Sequence, residues 1–176
     1  MTDYICVLDF EATCWYDNSN HEIIEFPSVL LKWDNDQLND QLQDKIKIKI
    51  KIKEVSRFQQ FVKPLNNSCV SDFCTELTGI TQKQIDDGID LKSTIEAHLK
   101  WITDITKSSN VTIVTCGNWD LNKMLPADLK NISYKPNELY TRYANIKDLF
   151  VLYKINCCRN KRHSNDKNVS QIRTQS

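Results

Sequence analysis

Glycine and proline are scarce, three and four residues among 176, so a collagen-like repeat is excluded. No sign of charge predominates: 23 Lys and Arg balance 23 Asp and Glu, and 40% of positions are hydrophobic, a composition that excludes wholesale disorder and can build a core. No window approaches the ~18 apolar residues of a membrane span. Met1–Asp9 lacks the basic start and long apolar centre of a signal peptide. The chain is therefore expected to be soluble and intracellular, cytoplasmic or nuclear, with no membrane partner. Its seven cysteines form no C-x-x-C pair, and an odd number without a secretory signal points to reduced thiols. Cys157, Cys158 and His163 make a poor zinc site, because four ligands are needed and adjacent cysteines are badly placed to share one ion.

The length suits one domain with insertions and tails, at roughly 100–200 residues per domain. The balanced charge hides an asymmetry. Residues 154–176 carry Lys154, Arg159, Lys161, Arg162, Lys167 and Arg173 against Asp166, which leaves the remainder acidic. A basic tail beside an acidic body suits a polyanion held through metal ions; a solvated tail is the plain alternative.

Residues 4–10, YICVLDF, read as a buried central strand, nearly continuous in apolar character. Residues 22–33 form a second apolar segment in which Pro27 suits a bulge or an edge, and RFQQFV at 57–62 ends a third strand before the Pro64–Asn67 turn. Between them, 34–53 begins polar and ends in a strict Lys/Ile alternation over Lys45–Lys53, which suits a strand and predicts an extended hairpin arm. A low-complexity expansion is the other reading. Leu91, Ile95, Leu99 and Ile102 recur at helical spacing over 91–105, with His98 beside that face and assigned no chemistry. VTIVT at 111–115 is another buried strand, followed by a short helix from Trp119 to Met124 that Pro126 should end. The order of elements predicts a mixed α/β domain.

Asp9 and Glu11 flank Phe10 at the end of the first strand, and positions i and i+2 of an extended chain point to one side. Two converging carboxylates raise each other's pKa unless a cation neutralises them, and hard oxygen ligands are what Mg²⁺ or Mn²⁺ prefers. By itself D-x-E equally describes a solvated rim. A third carboxylate, Asp120, follows the VTIVT strand where active-site residues gather in α/β sheets; capping its own helix is the alternative. Trp119 is either a base-stacking platform or a core residue.

Four blocks, ICVLDFEATCW (5–15), EIIEFPSVLL (22–31), DFCTELTGIT (72–81) and VTCGNWDLNKMLP (114–126), resemble the DEDDh, DnaQ-like 3′→5′ exonucleases. The resemblance extends over about residues 4–150, with only the 34–53 arm foreign to the family. It is strongest to the eukaryotic branch of histone-mRNA and small-RNA exoribonucleases, and within it to the prion-protein-interacting exonuclease type. It implies a ribonuclease-H-like mixed sheet flanked by helices, here with an inserted extended arm. It also implies a two-metal mechanism with Mg²⁺ or Mn²⁺. On the family's pattern Asp9 bridges both ions, Glu11 holds the ion that activates water, Asp120 and Asp166 complete the set, and His163 deprotonates the water. Phe73 and Trp119 would stack on the terminal base, and the stretch Phe10, Glu11, Ala12, Thr13 would contact the terminal sugar. The implied partner is single-stranded RNA or an RNA 3′ overhang, with a protein partner as one means of targeting. The implied organisation is an exonuclease domain over 1–153, interrupted by the 34–53 insertion, and a shortened C-terminal part with its basic tail over 154–176.

The third motif departs from the family. His163 and Asp166 are three positions apart where the family has five, and only VLYKINCCRNKR separates NIKDLF from the histidine, on the order of twenty residues fewer than usual. An i,i+3 pair shares a helix face, so both side chains can still point into one site. The principal reading is an active metal-dependent exoribonuclease; the alternatives are a catalytically impaired paralogue that binds RNA ends, a truncated gene model, or a protein-interaction factor.

Overall fold

Among the described residues Ile23–Asp36 is the longest strand, and the sheet is organised around it. The computed structural model describes residues 3–14, 21–36, 49–107 and 109–155. Along one edge of this strand (β3) run β1, Tyr4–Leu8, and β2, Glu11–Ala12, both antiparallel to it. Leu8 faces Ser28 and Glu11 faces Glu25, so β2 resumes the pairing that β1 leaves off. Pro27 lies in β3 opposite this interruption, where a missing N–H costs the ladder least. On the other edge of β3 pairs β4, Lys49–Phe61, also antiparallel, with a bulge beside Leu30 and Leu31. On the far side of β1 stand β5, Val111–Thr115, and β6, Tyr143–Asn145, both in parallel pairing. Among the described residues the result is a six-stranded mixed sheet flanked by helices.

The Lys/Ile alternation and RFQQFV belong to a single strand: β4 runs from Lys49 through Phe61, pairing Lys49 with Asp36, Lys51 with Asp34 and Ile52 with Trp33. The extended arm therefore grows directly from the central strand pair, in a register that sets lysine positions opposite aspartate positions. Lys45–Ile48, the start of the alternation, lie outside the described residues.

After β4 come α1, Asp72–Thr78, α2, Gln82–Asp86, and α3, Leu91–Thr106. Each begins where the sequence offers a cap: Ser71 and Asp90 accept from the backbone N–H of Cys74 and Ser93, and Thr81 forms a capping box with Gln84. Gly79 ends α1 at φ 74°, the left-handed conformation glycine tolerates. In α3, Leu91, Ile95 and Ile102 face the core with His98 among them. They pack with Cys6, Leu8, Phe26, Leu30 and Ile113 from the sheet and Leu125 and Leu129 from α4, Leu125–Asn131.

Three expectations are corrected. Pro126 does not end a helix; it occupies the first turn of α4, a position that accepts proline. The preceding turn, Asp120–Met124, is π-helical. The first strand stops at Leu8 and is not buried on both faces: Cys6 and Leu8 point inward, while Val7 between them is 38% exposed on the opposite face. The last helix among the described residues, α5 (146–155), begins after Asn145, whose side chain accepts from Lys147 N–H. It displays Leu149, Phe150, Val151, Leu152 and Tyr153 to solvent.

Candidate active site

β1, β5 and β6 are parallel, so their carboxyl ends reach one rim of the sheet. Asp9 sits in the gap between β1 and β2, Glu11 opens β2, and the turn after β5 brings Asp120 to them. Gly117 in that turn has φ 132°, a conformation side chains rarely adopt. Thr115 Oγ1 donates to the Gly117 carbonyl at 2.6 Å and Tyr143 Oη to Asn118 Oδ1 at 3.1 Å, which fixes the loop between β5 and β6.

Asp120 is 7% exposed, and its Oδ1 accepts from the backbone N–H of Phe10 at 3.2 Å. Burial pushes the Asp120 carboxyl above the usual carboxylate range; the Phe10 N–H opposes that shift and the Asp9 charge adds to it. Glu11 is raised in the same direction, by burial first and then by Asp9, Glu25 and Asp120. Converging carboxylates of this kind hold their protons more tightly until a cation neutralises them.

As a donor set, hard carboxylate oxygens in mutual repulsion fit a divalent cation. Among the described residues, no three His, Cys, Asp or Glu side chains are grouped closely enough to hold a metal ion. The positions assigned to the rest of the set, Asp166 and His163, lie outside the described residues, as do Cys157 and Cys158. The described cysteines, Cys6, Cys14, Cys69, Cys74 and Cys116, are free thiols.

The wall beside the carboxylates is built from backbone. Phe10 turns its ring into the core, 4.5 Å from that of Phe26, and contributes its amide to Asp120. The Ala12 carbonyl accepts from Cys74 Sγ at 3.5 Å, tying β2 to α1. Thr13 is buried: its N–H donates to the Glu22 carbonyl at 2.8 Å, and its Oγ1 accepts from Glu22 N–H at 2.9 Å. Phe73, one residue before Cys74, is half-buried on α1. Trp119 is 58% exposed beside Asp120, which excludes the core-residue alternative.

Three further residues near this wall carry no clear motif. His21 Nδ1 lies 2.8 Å from the Thr13 carbonyl, and its ring stands edge-to-face with Trp119, centroids 6.4 Å apart at 80°. Glu22 is buried, and its carboxylate accepts from the backbone N–H groups of Leu65, Asn66 and Asn67 and from both asparagine amides. Asp128 accepts from Ile23 N–H at 2.8 Å through Oδ2, while its Oδ1 has no partner. Asp128 and Glu22 line a cavity of about 430 Å³ that none of Asp9, Glu11 and Asp120 reaches. The only sequence signal for the first two is the His-Glu doublet at the head of the second apolar segment; Asp128 has none.

Residues 6–167 match the RNase_T family, described as Exonuclease. The chain is 30% identical over 170 residues to ERI1 exoribonuclease 2 of Xenopus laevis, covering 86% of this chain and 22% of that protein. It is 36% identical over 141 residues to human 3′-5′ exoribonuclease 1, covering 76% and 36%. The chain thus spans about a fifth to a third of the length of these relatives. Among solved structures, the nuclease domain of 3′hExo, a DEDDh family member bound to rAMP, superposes with a TM-score of 0.69 at 33% identity, covering 87% of this chain and 72% of that one. Cell-death related nuclease 4 gives 0.70 at 25% identity, covering 89% and 49%.

Proposed function

The chain belongs to the exonuclease family, in its divalent-metal-dependent DEDDh group, and from that premise we propose that it removes nucleotides from the 3′ ends of single-stranded RNA or RNA 3′ overhangs. The observation that carries the reading is that Asp9 and Asp120 lie near enough to Glu11 to raise its carboxyl, with the Asp120 carboxyl raised as well, beside an exposed indole. Two ions, Mg²⁺ or Mn²⁺, would clamp the attacking and leaving oxygens of the phosphodiester. Asp9 would serve both ions, Glu11 the one on the side of the attacking water, and Asp120 with Asp166 would complete the set. His163 takes the proton from the water. Trp119 and Phe73 present faces to the terminal base, a contact any base can make. The Phe10–Thr13 stretch borders the terminal sugar, where a 2′-hydroxyl distinguishes RNA from DNA. A protein partner, the basic tail or the β3–β4 arm supplies any targeting.

The three-residue spacing of His163 and Asp166 favours a second reading, an RNA-end-binding chain without turnover. One assay separates the two: shortening of 5′-labelled single-stranded RNA in Mg²⁺, Mn²⁺ or EDTA, comparing the chain with Asp9→Ala. Metal-dependent laddering that disappears in the variant supports the nuclease. RNA binding that persists in chelator with no laddering in either metal supports the binder.

A further inference from the structure

Trp119 carries more than half of its surface to solvent, and a large exposed side chain recognises a base well only when its orientation is already restricted. Among the described residues, the one ring against it is that of His21. The edge-to-face geometry falls in the range such pairs favour. A carbonyl only accepts, so the proton at the 2.8 Å contact with Thr13 belongs to His21 Nδ1, and the bond fixes both tautomer and ring orientation. The backbone behind this ring is rigid in turn. Glu22, the next residue, grips Thr13 through two hydrogen bonds and is itself anchored by the amides of Leu65–Asn67.

We propose that His21 is a positioning residue: it ties the indole of Trp119 to the Glu11–Thr13 wall, so that the terminal base and sugar of an RNA 3′ end meet a platform already in register. This rests on the reading of Trp119 as the base-stacking residue. His21 touches neither the scissile phosphate nor the carboxylates; it acts through Trp119.

The test is calorimetric binding of AMP, a single terminal nucleotide that needs no turnover, to the full chain in Mn²⁺. Ribose 5-phosphate, which has no base, serves as the second probe, and circular dichroism checks each variant's fold. His21→Asn keeps an amide donor for the Thr13 carbonyl but removes the ring, and is expected to weaken AMP about two- to tenfold, the size of an aromatic pair contact. It should leave ribose 5-phosphate unchanged. His21→Phe, which retains an aromatic edge but not the bond to Thr13, should bind AMP with an affinity between those of the parent and His21→Asn. In a Trp119→Ala background, His21→Asn should add no further loss, because the two act as one unit.

Fully additive losses would overturn the proposal, and so would His21→Phe binding AMP as weakly as His21→Asn, or equal weakening of both probes. If Trp119→Ala weakens AMP while His21→Asn does not, the His21 role fails and base stacking stands. If Trp119→Ala leaves AMP affinity intact, the stacking reading itself fails and takes the His21 role with it.

Discussion

The backbone N–H of Phe10 and the carboxylate of Asp120 meet at 3.2 Å across 110 positions of sequence. This bond joins the D-x-E gap to the turn after β5, so Asp120 has two separable duties: it accepts a hydrogen bond and it carries charge. Asp120→Asn keeps an acceptor and removes the charge, and should preserve the folding free energy within about 1 kcal/mol while abolishing RNA shortening. Asp120→Ala leaves a buried amide unpaired and should cost a further ~1–3 kcal/mol. Urea midpoints beside the gel assay resolve the two effects. Equal stability of the two variants would mean that the Phe10–Asp120 bond holds nothing.

Mutual repulsion among Asp9, Glu11 and Asp120 implies that a cation should stabilise the fold as well as serve chemistry. A ligand that binds only the native state adds RT ln(1 + [L]/Kd), about 2.7 kcal/mol at a hundredfold excess over Kd. Thermal unfolding should therefore shift upward by several degrees in Mn²⁺ and return to its starting value with EDTA. Asp9→Asn should remove most of that shift without lowering the metal-free midpoint. An unchanged shift in Asp9→Asn would place the responsible site elsewhere.

Legibility in sequence tracks the range of the interaction. Asp9 and Glu11 are readable because their relation is local, two positions apart in extended chain, and Asp120 because strand ends collect functional groups. The arm is readable because alternation of Lys and Ile has the strand period. Phe10 reads as a sugar contact, yet its distinct contribution is an amide aimed at a residue 110 positions away, which no local pattern encodes. The open face of β1 is illegible because short apolar runs look alike whether one face or both are covered; Val7 marks it only in the fold. Pro126 misleads because the same residue that stops a helix also starts one. His21, Glu22 and Asp128 meet their partners through loops whose closure is invisible in a one-dimensional string.

Asp128 predicts a stability effect in the neutral range. Burial pushes its carboxyl up to about 6, with the Glu22 charge adding and the Ile23 N–H opposing. The native state therefore binds a proton that the unfolded chain releases at the ordinary carboxylate value. The sign follows: this contribution is complete below about pH 4 and is lost as the pH rises through about 6. At pH 7.5 the ionised group, with one oxygen unpartnered, should cost on the order of 2 kcal/mol relative to pH 4. Asp128→Asn can still accept from Ile23 and cannot ionise, so the difference between its urea stability and that of the parent should grow in the variant's favour between pH 4 and 7.5. A constant difference across that range would refute the assignment.

His98 predicts the opposite slope. It is wholly buried on α3, with Nδ1 at 2.7 Å from Tyr140 Oη and Nε2 at 3.0 Å from Ser28 Oγ, and burial pushes its pKa down to about 3. The native state excludes a proton that the unfolded chain takes up near the ordinary histidine value of about 6.5. Stability from this group is present above about pH 6.5 and declines as the pH falls toward 3, by a few kcal/mol in total. His98→Phe removes the titration and leaves the two hydroxyls without their shared partner, which should cost about 1–3 kcal/mol at pH 7.5. The parent's advantage over this variant should then shrink steadily between pH 6.5 and 4, a comparison in which the Asp128 contribution cancels. Because the two groups slope oppositely, the variant carrying both His98→Phe and Asp128→Asn should have a flatter stability profile between pH 4 and 7.5 than either single variant, and denaturation midpoints at four pH values suffice to see it. A parent advantage that stays constant from pH 6.5 to 4 would mean that His98 enters the native core already able to accept a proton.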